Sequence, residues 1–120
     1  MKKILVVEDD KFLASAYRLK LTKAGFAPVI AGDGNEALEL VKKELPDCIL
    51  LDLVMPGKDG FTVLEELKKD ERTKRIPVIV ASNLGQKEDT DRAMKLGAVE
   101  FVIKSNMSLE ELINKIKALL

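Results

Sequence analysis

The fold of this chain is decided by residues 48–60, which read Cys48-Ile49-Leu50-Leu51-Asp52-Leu53-Val54-Met55-Pro56-Gly57-Lys58-Asp59-Gly60. An uninterrupted apolar run that ends at a single carboxylate predicts a strand buried on both faces, as in a parallel sheet. The Pro-Gly and Asp-Gly pairs that follow are strong turn signals. Asp52 therefore falls at the carboxyl end of the strand, which is where open α/β sheets bind their ligands.

On both sides of this strand, short apolar runs alternate with segments of helical spacing. We predict further strands at residues 4–7, 26–31, 76–81 and 99–103, with helices between them, a fourth helix over about residues 86–96 and a last helix from residue 109. Pro28 suits an edge strand, because proline cannot donate to a sheet ladder. Five βα units predict an α/β fold with a doubly wound five-stranded parallel sheet, for which the flavodoxin-like strand order 2-1-3-4-5 is the natural choice.

Length and composition limit the class of protein. The 120 residues favour one domain over residues 1–120, and 20 basic against 20 acidic residues argue against direct nucleic-acid binding, which needs a basic surplus. No apolar run suits a membrane span or a secretory signal, so we expect a cytoplasmic protein with no membrane partner. Histidine is absent and Cys48 is the single cysteine, which excludes imidazole chemistry and argues against zinc.

Acidic side chains converge on the carboxyl edge of the predicted sheet. Glu8, Asp9 and Asp10 follow the first strand, and Asp52 follows the third. Neighbouring strands lie about 5 Å apart, so these carboxylates repel one another unless a cation joins them. Oxygen ligands without nitrogen or sulfur suit a hard ion, which predicts Mg²⁺, with Mn²⁺ as an alternative. Asp10 can equally serve only as a helix N-cap.

Two complementary groups follow the other strands of the same edge. Ser82 ends the fourth strand and offers a hydroxyl, and Lys104 ends the fifth and offers a positive charge. Both groups suit phosphate oxygens. Taken singly, Ser82 reads as a turn residue and Lys104 as a solvated surface charge. Together with an acidic nucleophile and a metal, they predict phosphoryl transfer onto a carboxylate.

The chain resembles the receiver domain of bacterial response regulators over its full length. The matching segments are Ile4-Leu5-Val6-Val7-Glu8-Asp9-Asp10, Leu51-Asp52-Leu53-Val54-Met55-Pro56 with Asp59-Gly60, Ile76-Pro77-Val78-Ile79 to Ser82, and Gly97-Ala98 with Phe101-Val102-Ile103-Lys104. The resemblance implies a signalling module rather than an enzyme, in which Asp52 accepts a phosphoryl group from a partner's phosphohistidine. It also implies a Mg²⁺ site formed by Glu8 (directly or through water), Asp9, Asp52 and the backbone carbonyl of Val54.

The same resemblance implies a conformational switch. Lys104 and Ser82 would grip the phosphoryl oxygens, Ser82 would move toward them, and Phe101 would turn inward. These changes would reshape the surface of the fourth helix, fifth strand and fifth helix, through which the chain would act as a monomer or a weak dimer. The implied partners are a sensor histidine kinase or histidine phosphotransfer protein, and a downstream protein or output domain.

Three positions depart from the family pattern. Ser105 follows Lys104 where the family usually has a proline with a cis peptide bond, which costs roughly 3 kcal/mol before serine. Phe101 lacks the hydroxyl of the commoner tyrosine, so its switch would work by packing alone. Asn83 replaces a small residue and, with the apolar Val54 and Leu84, predicts a site that excludes hydrolytic water and keeps its phosphoryl group for a long time.

Three other functions compete with this interpretation. A haloacid-dehalogenase-like phosphatase also uses a strand-end aspartate, but it needs a second acid two residues later, where this chain has Val54. A flavodoxin-like cofactor binder needs a glycine-rich phosphate loop after the first strand, and none is present. A receiver-like interaction module that is never phosphorylated would not need the intact set of acids, hydroxyl and lysine.

Overall fold

The computed structural model describes residues 1–120. Its strands are β1 (Lys3–Val7), β2 (Ala27–Ala31), β3 (Cys48–Leu51), β4 (Val78–Ser82) and β5 (Glu100–Ile103). Its helices are α1 (Lys11–Lys23), α2 (Gly34–Glu44), α3 (Gly60–Lys69), α4 (Lys87–Lys95) and α5 (Leu109–Leu119), and a short 3-10 turn at Lys104–Asn106 follows β5. None of these helices is both long enough and apolar enough to cross a membrane.

The five strands form one parallel sheet in the order β2-β1-β3-β4-β5. The predicted α/β fold and its strand order are therefore confirmed. Pro28 lies in β2, which is an edge strand as its missing N–H requires. The fourth strand begins two residues later than predicted and includes Ser82, because Ser82 pairs with Ile103 in the ladder between β4 and β5.

The core consists of one apolar layer on each face of the sheet. Alternate strand residues point to opposite faces, so Ile49 packs in the layer under α2, α3 and α4, whereas Leu50 packs in the layer under α1 and α5. Cys48 belongs to the second layer and is fully buried, and burial raises the pKa of its thiol to about 12. The side chain is thus an inert core thiol.

Helix α4 is attached to the core less firmly than the other α-helices. Ala93 is its only buried residue. Arg92 adds a contact with α3, since its guanidinium lies 4.1 Å from the centre of the Phe61 ring. Such a cation–π contact contributes about 0.5–1 kcal/mol at an exposed site. Helix α4 therefore buries fewer side chains in the core than any other α-helix of the chain.

Gly60 sets how closely α3 approaches the strand end that carries Asp52. The Gly60 N–H donates to the carbonyl of Leu53 at 3.0 Å. A Cβ atom at position 60 would lie only 2.2 Å from the carbonyl oxygen of Asp52 and 2.6 Å from the Cα atom of Leu53. Only glycine fits this close contact, so the Asp-Gly pair has a packing role beyond the turn that the sequence indicated.

Candidate functional site

The carboxyl ends of four strands bring the predicted site residues to one edge of the sheet. Glu8 and Asp9 follow β1, Asp52 follows β3, Ser82 ends β4 and Lys104 follows β5. The parallel register places these ends side by side, since Val7 pairs with Leu51 and Leu51 pairs with Val80. The order of the strands, and not distance along the chain, assembles this group.

Three carboxylates form a compact acidic cluster. Oxygen atoms of Glu8, Asp9 and Asp52 all lie within 4.8 Å of one another. Glu8 and Asp52 are only 4% and 8% exposed, whereas Asp9 faces solvent. Asp10 is not a member: its Oδ1 atom accepts hydrogen bonds from the N–H groups of Phe12 at 2.9 Å and Leu13 at 3.1 Å, so it caps α1.

Lys104 joins two members of this cluster. Its Nζ atom donates to Glu8 Oε1 and lies 3.1 Å from Asp52 Oδ2. Burial raises the pKa of Glu8, although the hydrogen bond from Lys104 opposes that effect. Burial lowers the pKa of Lys104, but the hydrogen bond to Glu8 and the charge of Asp52 outweigh it, so the pKa is raised overall. The ammonium therefore stays charged and offsets part of the negative charge of the cluster.

Backbone N–H groups orient the polar side chains further. Asp52 Oδ1 accepts from the N–H of Val54 at 3.3 Å, and Glu8 Oε2 accepts from the N–H of Asp10 at 3.2 Å. The Ser82 Oγ atom is fully buried and accepts from the N–H of Leu84 at 3.2 Å. Because a hydroxyl also has one proton to donate, Ser82 can still donate to an incoming oxygen atom.

A small cleft opens above these groups. Its volume is about 280 Å³, and it is lined by Asp52, Val54, Ser82, Asn83, Leu84 and Lys104. Both predicted apolar neighbours, Val54 and Leu84, line this cleft, and they are 59% and 36% exposed. Other surface clefts lie along α2 and α3, on α4, and between α1 and α5, and none of them includes a strand-end residue.

The structure also describes the three positions that depart from the family pattern. All peptide bonds are trans, including the bond from Lys104 to Ser105. Phe101 is partly buried and packs against the core layer under α2, α3 and α4. Asn83 Oδ1 accepts a hydrogen bond from the N–H of Ser105 at 3.2 Å, so two of the unusual residues contact each other. The sequence carried no signal for this pairing, because 22 residues separate the two positions.

Comparison with known proteins decides the family. The sequence matches the model of the response regulator receiver domain over residues 4–117. This chain belongs to that family. The resemblance that the motifs indicated is thus confirmed, and receiver domains function as signalling modules in two-component systems.

Two curated relatives are longer transcriptional regulators. The receiver is 37% identical over 120 residues to the DNA-binding dual master transcriptional regulator RpaA of Synechocystis sp. (strain ATCC 27184 / PCC 6803 / Kazusa), covering 100% of this chain and 49% of RpaA. It is 36% identical over 119 residues to the probable transcriptional regulator ycf27 of Guillardia theta, covering 99% and 45% of the two chains. The chain thus spans about half the length of these relatives.

Solved structures share the whole fold. The receiver domain of the Francisella response regulator 1452 is 34% identical, with a TM-score of 0.91 and coverage of 99% of this chain and 96% of that one. The Vibrio cholerae chemotaxis protein CheY4 is 26% identical, with a TM-score of 0.92 and coverage of 100% and 99%. The BeF3-activated N-terminal receiver domain of Klebsiella pneumoniae RstA is 26% identical, with a TM-score of 0.89 and coverage of 98% and 97%.

Proposed function

We propose that residues 1–120 form one receiver domain that accepts a phosphoryl group on Asp52 from the phosphohistidine of a sensor histidine kinase or a histidine phosphotransfer protein. The observation that carries this proposal is the contact of the Lys104 ammonium with both Asp52 and Glu8, beside the buried hydroxyl of Ser82. A nucleophile, a cation and a hydrogen-bond donor thus surround one small cleft.

The transfer step exchanges one bond to phosphorus for another. A carboxylate oxygen of Asp52 attacks the phosphorus atom, and the bond from phosphorus to the donor's imidazole nitrogen breaks. The imidazole nitrogen leaves with the electron pair of the broken bond and is protonated by solvent, and the product is an acyl phosphate on Asp52. Protein side chains assist chiefly by positioning and by stabilising charge, as is usual in phosphoryl transfer.

Lys104 and Ser82 are suited to hold the transferred group. A phosphoryl group brings about two negative charges and three strong acceptor oxygens. The Lys104 ammonium already lies 3.1 Å from Asp52 Oδ2, where that charge would appear. Ser82 keeps a free hydroxyl proton, so it can donate to a phosphoryl oxygen while it accepts from Leu84.

The acidic cluster fits a hard divalent cation. Its donors are all oxygens within 4.8 Å of one another, and two of the three carboxylates are buried. We assign Mg²⁺, with Mn²⁺ as an alternative, to Glu8, Asp9, Asp52 and the backbone carbonyl of Val54. When bound, the cation neutralises negative charge on the transferring phosphoryl oxygens. Lys104 carries one positive charge against three carboxylates, so the cluster keeps net negative charge that attracts a cation.

The output surface would be the one formed by α4, β5 and α5. Movement of Ser82 toward the phosphoryl group would draw the loop between β4 and α4, and Phe101 would change its packing on β5. Support comes from the weak attachment of α4, which buries only Ala93. Phe101 has no hydroxyl, so the switch would act through packing alone. Monomers or weak dimers would present this surface.

Partners follow from the same assignment. The two longer relatives are named as transcriptional regulators, and this chain covers about half of each. This supports either an output domain in a longer protein or a separate downstream protein as the recipient of the signal. We place the receiver in the cytoplasm, where it would meet the donor, and assign it no direct nucleic-acid binding.

The site also supports a long-lived phosphoryl state. The exposed side chains of Val54, Asn83 and Leu84 line the mouth of the cleft above Asp52. They would obstruct the water that hydrolyses the acyl phosphate. Asn83→Ala should therefore lose its phosphoryl group faster than the wild type, and an unchanged or slower rate contradicts this hypothesis.

The main proposal is tested with a small phosphodonor. Incubation with acetyl phosphate and Mg²⁺ should add one phosphoryl group, seen by intact-protein mass spectrometry and removed by hydroxylamine as expected for an acyl phosphate. Asp52→Asn should remain unmodified, and a chelator should prevent modification of the wild type. Modification that survives in Asp52→Asn defeats the assignment, and no modification at all favours a receiver-like module that is never phosphorylated.

A further inference from the structure

The loop after β4 and the turn after β5 are joined by one side chain. Asn83 Oδ1 accepts a hydrogen bond from the backbone N–H of Ser105 at 3.2 Å. Ser105 follows Lys104 directly, and Asn83 follows Ser82 directly. The bond therefore links the two residues that would grip a phosphoryl group, through their immediate neighbours in the chain.

The local geometry explains why this N–H needs a partner. Lys104–Asn106 form a 3-10 turn, which the Met107 N–H closes by donating to the Lys104 carbonyl. The first N–H groups of any helical turn have no acceptor within the turn. The residue at the N-cap position, Ile103, makes no side-chain hydrogen bond to this turn. Asn83 supplies the missing acceptor from 22 residues away in sequence.

We propose that Asn83 is a positioning residue: by capping the turn that carries Lys104, it holds the backbone of Lys104 beside the loop that follows Ser82 before a phosphoryl group arrives. The inference rests on the proposed function of the site. Asn83 does not need to touch the reacting atoms. Asn83 reduces the freedom of two loops. Without it, these loops must be ordered when the anion binds, and that cost would slow phosphorylation.

Neighbouring contacts agree with this role. The Ser82 Oγ atom accepts from the N–H of Leu84, so the residues on both sides of Asn83 are also fixed relative to each other. The Lys104 side chain is held at its far end by Glu8 and Asp52. Asn83 holds its backbone end. The donor at Ser105 also fixes the orientation of the Asn83 carboxamide, because only its oxygen can accept.

Three single variants separate positioning from crowding by the side chain. Asn83→Ala removes the acceptor, and Ser105→Ala keeps both partners of the bond. Ser105→Pro removes the N–H donor but keeps Asn83, and NMR must show that the peptide bond before position 105 stays trans, as in the wild type. Asn83→Ala and Ser105→Pro should each be phosphorylated by acetyl phosphate and Mg²⁺ about threefold more slowly than the wild type, the size expected for one hydrogen bond. Ser105→Ala should be phosphorylated at the wild-type rate. The double variant that combines Asn83→Ala and Ser105→Pro should be phosphorylated no more slowly than the slower of these two single variants.

Dephosphorylation rates complete the separation. Crowding acts on hydrolysis and depends on the Asn83 side chain, so Ser105→Pro should hydrolyse at the wild-type rate while it is phosphorylated slowly. Thermal unfolding of each variant reports whether the fold is retained. Three outcomes would overturn the positioning role. They are wild-type phosphorylation rates in Asn83→Ala and Ser105→Pro, slow phosphorylation in only one of these two variants, and additive losses in the double variant.

Amide hydrogen exchange tests the bond without any phosphodonor. The backbone amide of residue 105 should be more strongly protected from exchange, relative to its intrinsic rate, in the wild type and in Ser105→Ala than in Asn83→Ala. Equal protection in all three proteins would refute the bond itself. A wild type that is never phosphorylated overturns the proposed function and, with it, the positioning role. Normal phosphorylation of every variant overturns the positioning role alone.

Discussion

The Nζ atom of Lys104 lies 3.1 Å from Oδ2 of Asp52 and also donates a hydrogen bond to Glu8, although 96 residues separate Lys104 from Glu8. The ammonium therefore belongs to the acidic cluster and is not a free surface charge. Only 15% of the Lys104 side chain is exposed, so water screens these interactions weakly. Removal of this cation should affect both the stability and the chemistry of the site.

Lys104→Met should lower the free energy of unfolding by about 3 kcal/mol at neutral pH, because it leaves two buried carboxylates without their cation. Added Mg²⁺ should recover part of the loss, since it binds the same acids. Urea unfolding with and without Mg²⁺ measures both effects. The matched control is Lys115→Met, which breaks the exposed pair with Glu100 and should cost less than about 1 kcal/mol. Equal losses in both variants, unaffected by Mg²⁺, would refute this role of Lys104.

Asp9 and Asp10 should respond to substitution in opposite ways. Asp9→Asn removes a proposed metal ligand at an exposed position, so Mg²⁺ affinity should fall by at least about tenfold with little change in stability. Asp10→Ala removes the cap of α1 and should cost about 1 kcal/mol, with Mg²⁺ affinity nearly unchanged. Calorimetric titration with Mg²⁺ and urea unfolding measure the two quantities. The reverse pattern would mean that Asp10 is the ligand.

Gly60→Ala should destabilise the protein by about 1–3 kcal/mol, because the added Cβ would overlap the backbone at Asp52 and Leu53. Phosphorylation should also slow, since the strand end that carries Asp52 must shift. Gly32→Ala is the control: its nearest neighbour would be Glu36 Oε1 at 3.8 Å, an ordinary contact. Thermal unfolding of the two variants tests the difference. A Gly60→Ala protein as stable as Gly32→Ala would show that the contact is easily relieved.

Cys48 predicts a specific alkaline dependence of stability. Burial raises the pKa of the thiol to about 12 from an ordinary value of 9.0. Between these values the unfolded chain releases a proton that the folded chain keeps, so rising pH favours unfolding by up to about 1.4 kcal/mol per pH unit. Below pH 9 this contribution to stability is fully present. Urea unfolding of wild type and Cys48→Ala from pH 8 to pH 10 should give a steeper decline for the wild type, and parallel curves would refute the assignment.

Local patterns in the sequence were sufficient for the fold. The apolar run of β3 and the Pro28 edge strand are indicated by residues that are near one another in the chain, and both are as predicted. The limits of β4 were less well predicted, because Ser82 joins the strand only through its pairing with Ile103 on β5. Hydrophobic periodicity carries no information about such a partner.

The sequence by itself determined that acids, a hydroxyl and a lysine would meet at one edge of a parallel sheet, since strand ends in such a sheet share an edge. Tertiary structure alone decided which groups touch. It separated Asp10, which caps a helix, from Glu8 and Asp9, and it paired Lys104 with Glu8 and Asn83 with Ser105. The physical reason is that these contacts depend on strand register and on the paths of two loops, which are set by packing between residues far apart in the chain.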